Sequence, residues 1–407
     1  MIKLTEGGVC APKGFSAAGV HCGIRKNKEK KDLALIVADV KCATACVYTT
    51  NLVKGAPILV TKQNVADGCA QAVIVNSGNA NTCNENGVEI AEQMCALVQK
   101  HCQISASDVV VASTGVIGQP LSIDPIANGM DALVKGLGKE KENSLSAAEA
   151  IMTTDTVSKE IAYTFQVGGV ECKIGAICKG VGMLCPNMAT MLMFVTTDVA
   201  ITPALLQKAL SADVKDSLNM VSVDRDTSTN DTLCIMASGL AGNAVIDEEN
   251  GDYQAFRKAL YAVTSQMCKK IAADGEGATK LIECTVKGAK SKKIARTVAK
   301  SVVCSNLLKA AIFGADANWG RVLCAIGYSG AQVDVDKIDV VFRSKAGEVK
   351  VCKNGRGVPF SEDVAKQVLL EKEIEIAVHL NDGNYSSVGW GCDLTYEYVR
   401  INGDYRS

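Results

Sequence analysis

KGVGMLCPNMATML, residues 179–192, lies near the middle of the 407-residue chain and decides how the rest is read. It places Thr190 behind a small residue, Ala189, and at the head of an apolar run. A threonine hydroxyl is a poor nucleophile until a base sits beside it. The residue's own α-amine, freed by cutting the preceding peptide bond, is one economical source of that base. With a pKa near ~8, such an amine accepts a proton readily at neutral pH. A cut at Ala189–Thr190 therefore gives one residue both nucleophile and base. The plainer reading is a buried strand over 191–196 led in by a proline turn, and on composition alone it is the stronger, because Thr before apolar residues is common in strands.

Around this stretch, short apolar runs alternate with polar turns. Residues 33–38 (LALIVA), 46–50, 57–60, 72–76 (AVIVN) and 109–113 (VVVAS) read as buried strands. Residues 87–101 and 144–152 carry helical spacing or helix-forming composition, and a further helix begins at Thr202-Pro203, with Thr202 as N-cap. In the second half, residues 253–272 set Phe256, Leu260, Val263, Met267 and Ile271 on one helical face, and 301–313 reads as another helix. Strands are expected at 338–343, 348–352, 374–380 and 393–400. This mixture predicts layered α/β packing.

Composition narrows the function classes. The net charge of −1 and the 4% aromatic content do not fit a nucleic-acid surface, which needs a basic face and stacking rings. The run Arg25–Lys31 (RKNKEKK) reads as a solvated loop. No apolar stretch approaches the roughly 20 residues that span a bilayer, and the first residues carry neither a signal nor a transit pattern, so a cytoplasmic enzyme is expected. The 18 cysteines are scattered without a Cys-x-x-Cys pair, and the three histidines lie far apart. Buried reduced thiols are expected, with no metal site and no cofactor.

Two further clusters carry chemistry. STGVIG, residues 113–118, follows a buried strand, and its glycines let backbone amides turn toward a ligand, as an oxyanion hole requires. Alone, it reads as an ordinary glycine turn. The neighbouring NSGNAN (76–81) is expected to brace a loop through its asparagine side chains. DGEGATK (274–280) holds Glu276 between glycines, either as a solvated C-cap or as a carboxylate aimed at a cationic ligand.

Taken in order, these stretches resemble the ornithine acetyltransferase (glutamate N-acetyltransferase) family of arginine biosynthesis. The likeness runs almost end to end, through GGVCAPKGF (7–15), NSGNAN, STGVIG, AIMTTDT (150–156), residues 179–192, VDRDTSTNDT (223–232), DGEGATK, GADANWGR (314–321) and the tail YVRINGDYRS (398–407). The chain departs from the family pattern at Val181, often Ser, and Cys185, often Ala; neither supplies the nucleophile. The resemblance implies a layered sandwich of stacked β-sheets flanked by helices, as in the DmpA-like fold. It implies self-cleavage into two associated chains, residues 1–189 and 190–407, assembling as two copies of each. Thr190 is then the nucleophile, Thr114 and Gly115 the oxyanion hole, and the substrate contacts are Thr153 or its neighbour Thr154, Lys179, Thr190, Glu276, Asn402 and Ser407. The substrates implied are N-acetylornithine and glutamate, with acetyl-CoA left open as a second donor. One acetamide is exchanged for another, so no cofactor is implied. The competing readings are a self-processing aminopeptidase or amidase, with water as acceptor, and a non-catalytic metabolite binder on the same scaffold.

Overall fold

A computed structural model of the protein describes residues 2–183 and 191–403. Its strands fall into two sheets. In the larger, eight strands run in the order Lys3–Thr5, Lys159–Val167, Val170–Lys179, Leu192–Thr197, Thr232–Ala237, Leu33–Tyr48, Cys69–Asn79 and Val109–Val116. A ninth, Phe15–Val20, pairs with Leu33–Tyr48. The smaller sheet has the order Arg356–Gly357, Gly347–Lys353, Asp339–Ser344, Glu373–His379, Leu281–Ala289, Tyr385–Cys392 and Val221–Ser222. The helix Gly251–Ala273 packs against Lys159–Val167 and Val170–Lys179 of the larger sheet and against Leu281–Ala289 and Tyr385–Cys392 of the smaller. The expected α/β layering is present, with this helix in contact with both sheets.

That helix starts where Asn250 accepts hydrogen bonds from the Asp252 and Tyr253 amides, and it buries the predicted face of Phe256, Leu260, Val263, Met267 and Ile271. The motif strand around residue 192 lies at the centre. Leu192–Thr197 is antiparallel to Val170–Lys179 and parallel to Thr232–Ala237, and all six of its residues are buried. A strand covered on both faces reads as a continuous apolar run, which is why residues 191–195 show no alternation.

Four expectations need correction. Residues 57–60 belong to the helix Ala56–Asn64, in whose first turn Pro57 costs no hydrogen bond. The runs 33–38 and 46–50 belong to one 16-residue strand, Leu33–Tyr48, whose pairing with Cys69–Asn79 shifts register between Val37 and Cys42. The helix expected at 301–313 is two, Lys292–Val303 and Asn306–Phe313, broken where Ser305 caps the second by accepting from the Leu308 amide. Residues 393–400 are not a strand. The sheet ends at Cys392 because Asp393 turns its carboxylate onto the amides of Thr279 (2.8 Å) and Lys280 (3.0 Å), and the helix Tyr396–Gly403 follows.

The cysteines among the described residues are free, and most are buried. Burial pushes the thiols of Cys95 and Cys178 up to about 12, so both stay protonated and act as small apolar groups. Among the described residues, no three His, Cys, Asp or Glu side chains stand together as a metal set, and no helix is long and apolar enough to cross a membrane.

Candidate active site

Val170–Lys179 and Val109–Val116 are five strand spacings apart in the larger sheet, roughly 24 Å if the sheet were flat. Their C-terminal ends nevertheless meet, with Lys179 Nζ donating to Thr114 Oγ1 at 3.1 Å. The sheet therefore curls strongly, and within this span register shifts interrupt the ladders of Leu33–Tyr48 with Cys69–Asn79 and of Cys69–Asn79 with Val109–Val116. The curl brings the STGVIG and Lys179 stretches to one point. A protonated lysine can only donate, so the Thr114 hydroxyl accepts from it and keeps its own proton for another acceptor.

Lys179 and Thr114 are both buried. Burial pulls the Lys179 pKa below the ordinary lysine range, while the charges of Asp155 and Asp231 act in the opposite sense. Gly115 has φ +133°, and a Cβ there would lie 2.3 Å from the carbonyl carbon of Gly78, so only glycine fits. The Gly78 side is held as anticipated. Asn76 Nδ2 donates to the Asn79 carbonyl (2.9 Å), Asn79 Nδ2 to that of Gln119 (3.0 Å), and Asn81 Nδ2 to that of Gly87 (2.7 Å).

A second, acidic pole faces the Lys179 stretch. The half-buried Glu276 accepts Thr154 Oγ1 at 2.7 Å and Asn402 Nδ2 at 2.8 Å, and its own amide donates to the Val181 carbonyl at 2.8 Å. Gly182 lies flush on the Glu276 carboxyl, where a Cβ would come within 2.3 Å of the carboxyl carbon. The structure thus brings Thr154, Glu276 and Asn402 together, and separately Thr114 and Lys179. Thr153 sits at the same turn, its amide donating to Asp155 Oδ2 at 3.0 Å. Thr190, Ala189 and Ser407 lie outside the described residues.

The sequence reading assigned no role to Asp155, Lys159, Asp231 or Asp274. Lys159 is fully buried and donates to Asp155 Oδ1 (2.7 Å) and Asp274 Oδ2 (2.5 Å). Burial alone pushes the Asp155 pKa up, but the charges of Lys159 and Lys179 outweigh it and hold the carboxyl below the usual range. Burial likewise works against the Lys159 charge, and Asp155 and Asp274 more than offset it. Asp231 Oδ1 accepts the amide of Met191 at 2.7 Å, immediately beyond the Ala189–Thr190 junction. Burial drives the Asp231 carboxyl well above its usual range, against the pull of the Met191 amide and the Lys179 charge. Next to it, Asn230 Nδ2 donates to the carbonyls of Ala80 (2.6 Å) and Ser113 (2.9 Å), tying the segment before Thr232–Ala237 to the STGVIG strand. All of these acids lie inside quoted motifs, but an acid among small polar residues looks the same in sequence whether it is buried or solvated.

This arrangement can stabilise a developing anion at Thr114 and hold a cationic group at Glu276. The ArgJ family profile matches residues 16–407. The arginine biosynthesis bifunctional protein ArgJ of Caldanaerobacter subterraneus subsp. tengcongensis is 48% identical over 407 residues, all of both chains. That of Symbiobacterium thermophilum is 50% identical over 403 residues, 98% of this chain and 99% of its own. The crystal structure of arginine biosynthesis bifunctional protein ArgJ from Bacillus halodurans matches with 48% identity and a TM-score of 0.50, covering 98% of that chain and 52% of this one.

Proposed function

The chain belongs to the ArgJ family, and on that premise we propose that it is a cytoplasmic glutamate N-acetyltransferase of arginine biosynthesis, moving the acetyl group of N-acetylornithine to glutamate through an acetyl-threonine. The observation that carries this reading is the pairing of two poles. The Lys179–Thr114 contact gathers positive charge and a hydroxyl donor at one point, and the Glu276 carboxylate stands ready for an ammonium at another.

In this account the Ala189–Thr190 bond is cut by the chain itself, leaving residues 1–189 and 190–407 associated. The B. halodurans chain, matched almost whole by about half of this one, supports a division of that kind, since residues 190–407 make up a little over half the sequence. The freed amine of Thr190 takes the hydroxyl proton as the oxygen attacks the acetyl carbonyl. The Thr114 hydroxyl and the Gly115 amide bind the resulting oxyanion, with Lys179 adding its charge through Thr114. Collapse breaks the C–N bond. The α-nitrogen of ornithine leaves with the proton held on the Thr190 amine, and an ester remains on Thr190. The α-amine of glutamate then attacks that ester by the same route in reverse, giving N-acetylglutamate and restoring the hydroxyl.

Substrate positioning follows from the contacts. Glu276 receives the ornithine side-chain ammonium, steadied by Asn402 and, from the tail, Ser407. Thr154 spends its hydroxyl proton on Glu276, which favours Thr153 for the substrate contact at this turn. The Lys179 donors left over from Thr114 serve the substrate carboxylate. Two cleaved pairs assemble into the working enzyme. The test is turnover by the purified protein. With both substrates, ornithine and N-acetylglutamate should appear in equal amounts, and double-reciprocal plots at several glutamate concentrations should be parallel. Sustained acetate release without glutamate would indicate an amidase instead. Glutamate with acetyl-CoA alone reports whether the second donor is used.

A further inference from the structure

We propose that Lys159 is the positioning residue that fixes the distance between the two poles of the site, and so sets the length of amino acid accepted. This rests on the transferase reading above. Three segments supply the proposed substrate contacts, namely the turn carrying Thr153 and Thr154, the strand end at Lys179–Gly180, and the loop carrying Glu276. Each is tied to the Lys159 ammonium through one intermediary. Asp155 Oδ1 takes Lys159 Nζ at 2.7 Å and the Gly180 amide at 2.9 Å, and its other oxygen takes the Thr153 amide at 3.0 Å. Asp274, two residues before Glu276, takes Lys159 Nζ at 2.5 Å, the Thr156 amide at 3.1 Å and the Thr156 hydroxyl.

Lys159 has no solvent-exposed surface and gives a further hydrogen bond to the Val157 carbonyl at 3.2 Å. An ammonium taken wholly out of water is retained only with such partners, and removing it strands two carboxylates. Burying this ion pair is therefore a poor device for stability, since apolar side chains of similar volume serve as well or better. It is a good device for fixing geometry. The ammonium holds the Asp274 end of the Glu276 loop against the Asp155 end of the Lys179 strand at hydrogen-bond length, and a methylene cannot do so.

The readout is a ratio of kcat/KM values, for N-acetylornithine over N-acetyllysine, whose side chain is one methylene longer, each with glutamate as acceptor. Both values come from the same preparation, so loss of folded enzyme cancels. One methylene in a fitted site is worth about tenfold or more in discrimination. Lys159→Met should lower the ratio about tenfold, and Asp274→Asn, which keeps shape but weakens the ionic hold, should lower it less and in the same direction. Asp274→Asn decides the matter alone if the methionine variant does not fold. An unchanged ratio in a folded variant, however much activity or melting temperature drops, overturns the inference and leaves Lys159 a structural residue. Wild-type protein that fails to transfer acetyl from N-acetylornithine to glutamate overturns the transferase reading itself.

Discussion

Glu276 shows how a single residue's role depends on what surrounds it. Its sequence setting, glycines on both sides, fits a solvated cap as well as a ligand. In the fold, Thr154 and Asn402 fix both carboxylate oxygens, and Gly182 packs flush on the carboxyl where any side chain would clash. Glu276→Gln keeps the shape and removes the charge. We expect KM for N-acetylornithine to rise about tenfold or more, consistent with a lost charge-assisted contact, while cleavage at residue 190 proceeds as in wild type. Steady-state kinetics beside fragment analysis checks both halves, and unchanged KM would remove Glu276 from substrate recognition. Thr114, Lys179 and Glu276 were singled out because each stands in a distinctive run of glycines and small residues. Lys159 was not. In TVSKEIAY it looks like an ordinary exposed charge on a strand, and only the curl of the sheet and the packing of Gly251–Ala273 take it out of water.

At the level of elements, sequence pattern served best where burial alone decides. The helix Gly251–Ala273 was readable from its apolar spacing and the fully buried 192–197 strand from its continuous run, whereas 57–60 and 393–400 were decided by a proline and an aspartate that act through the backbone. The helix Pro203–Asp213 carries a testable case of its own. Asp213 ends it buried, accepting from Ser217 Oγ at 2.9 Å, and burial pushes its carboxyl from 3.8 up to about 6. A carboxylate at a helix C-terminus also opposes the helix dipole. Because the folded protein holds this proton to a higher pH than the unfolded chain, the stabilising contribution is complete below the unfolded value and is lost as pH rises through about 6. Asp213→Asn should therefore raise stability by about 1–2 kcal/mol near pH ~8, with the gain shrinking as pH falls below the folded value. Melting curves across that range test the sign, and a gain independent of pH would show that the proton is not the cause.

Across the whole molecule, the proposed cut does not fall between domains. Leu192–Thr197 and Thr232–Ala237 of the C-terminal part lie between Val170–Lys179 and Leu33–Tyr48 of the N-terminal part in one sheet. Parting the two pieces would break strand ladders on both sides and open the core packed against them, so the two proposed chains are expected to stay associated once the peptide link is cut. The order of strands that produces this interleaving is set by long-range pairing, which no local run of residues encodes; that is why the family likeness, rather than periodicity, pointed to two associated chains. Everything proposed for the site depends on residue 190 becoming an amino terminus. Intact mass and N-terminal sequencing of the active, natively expressed protein test this most directly. Two co-purifying chains, one beginning at Thr190, are predicted, along with a single inert chain from Thr190→Ala; full activity from an uncut chain would contradict the account.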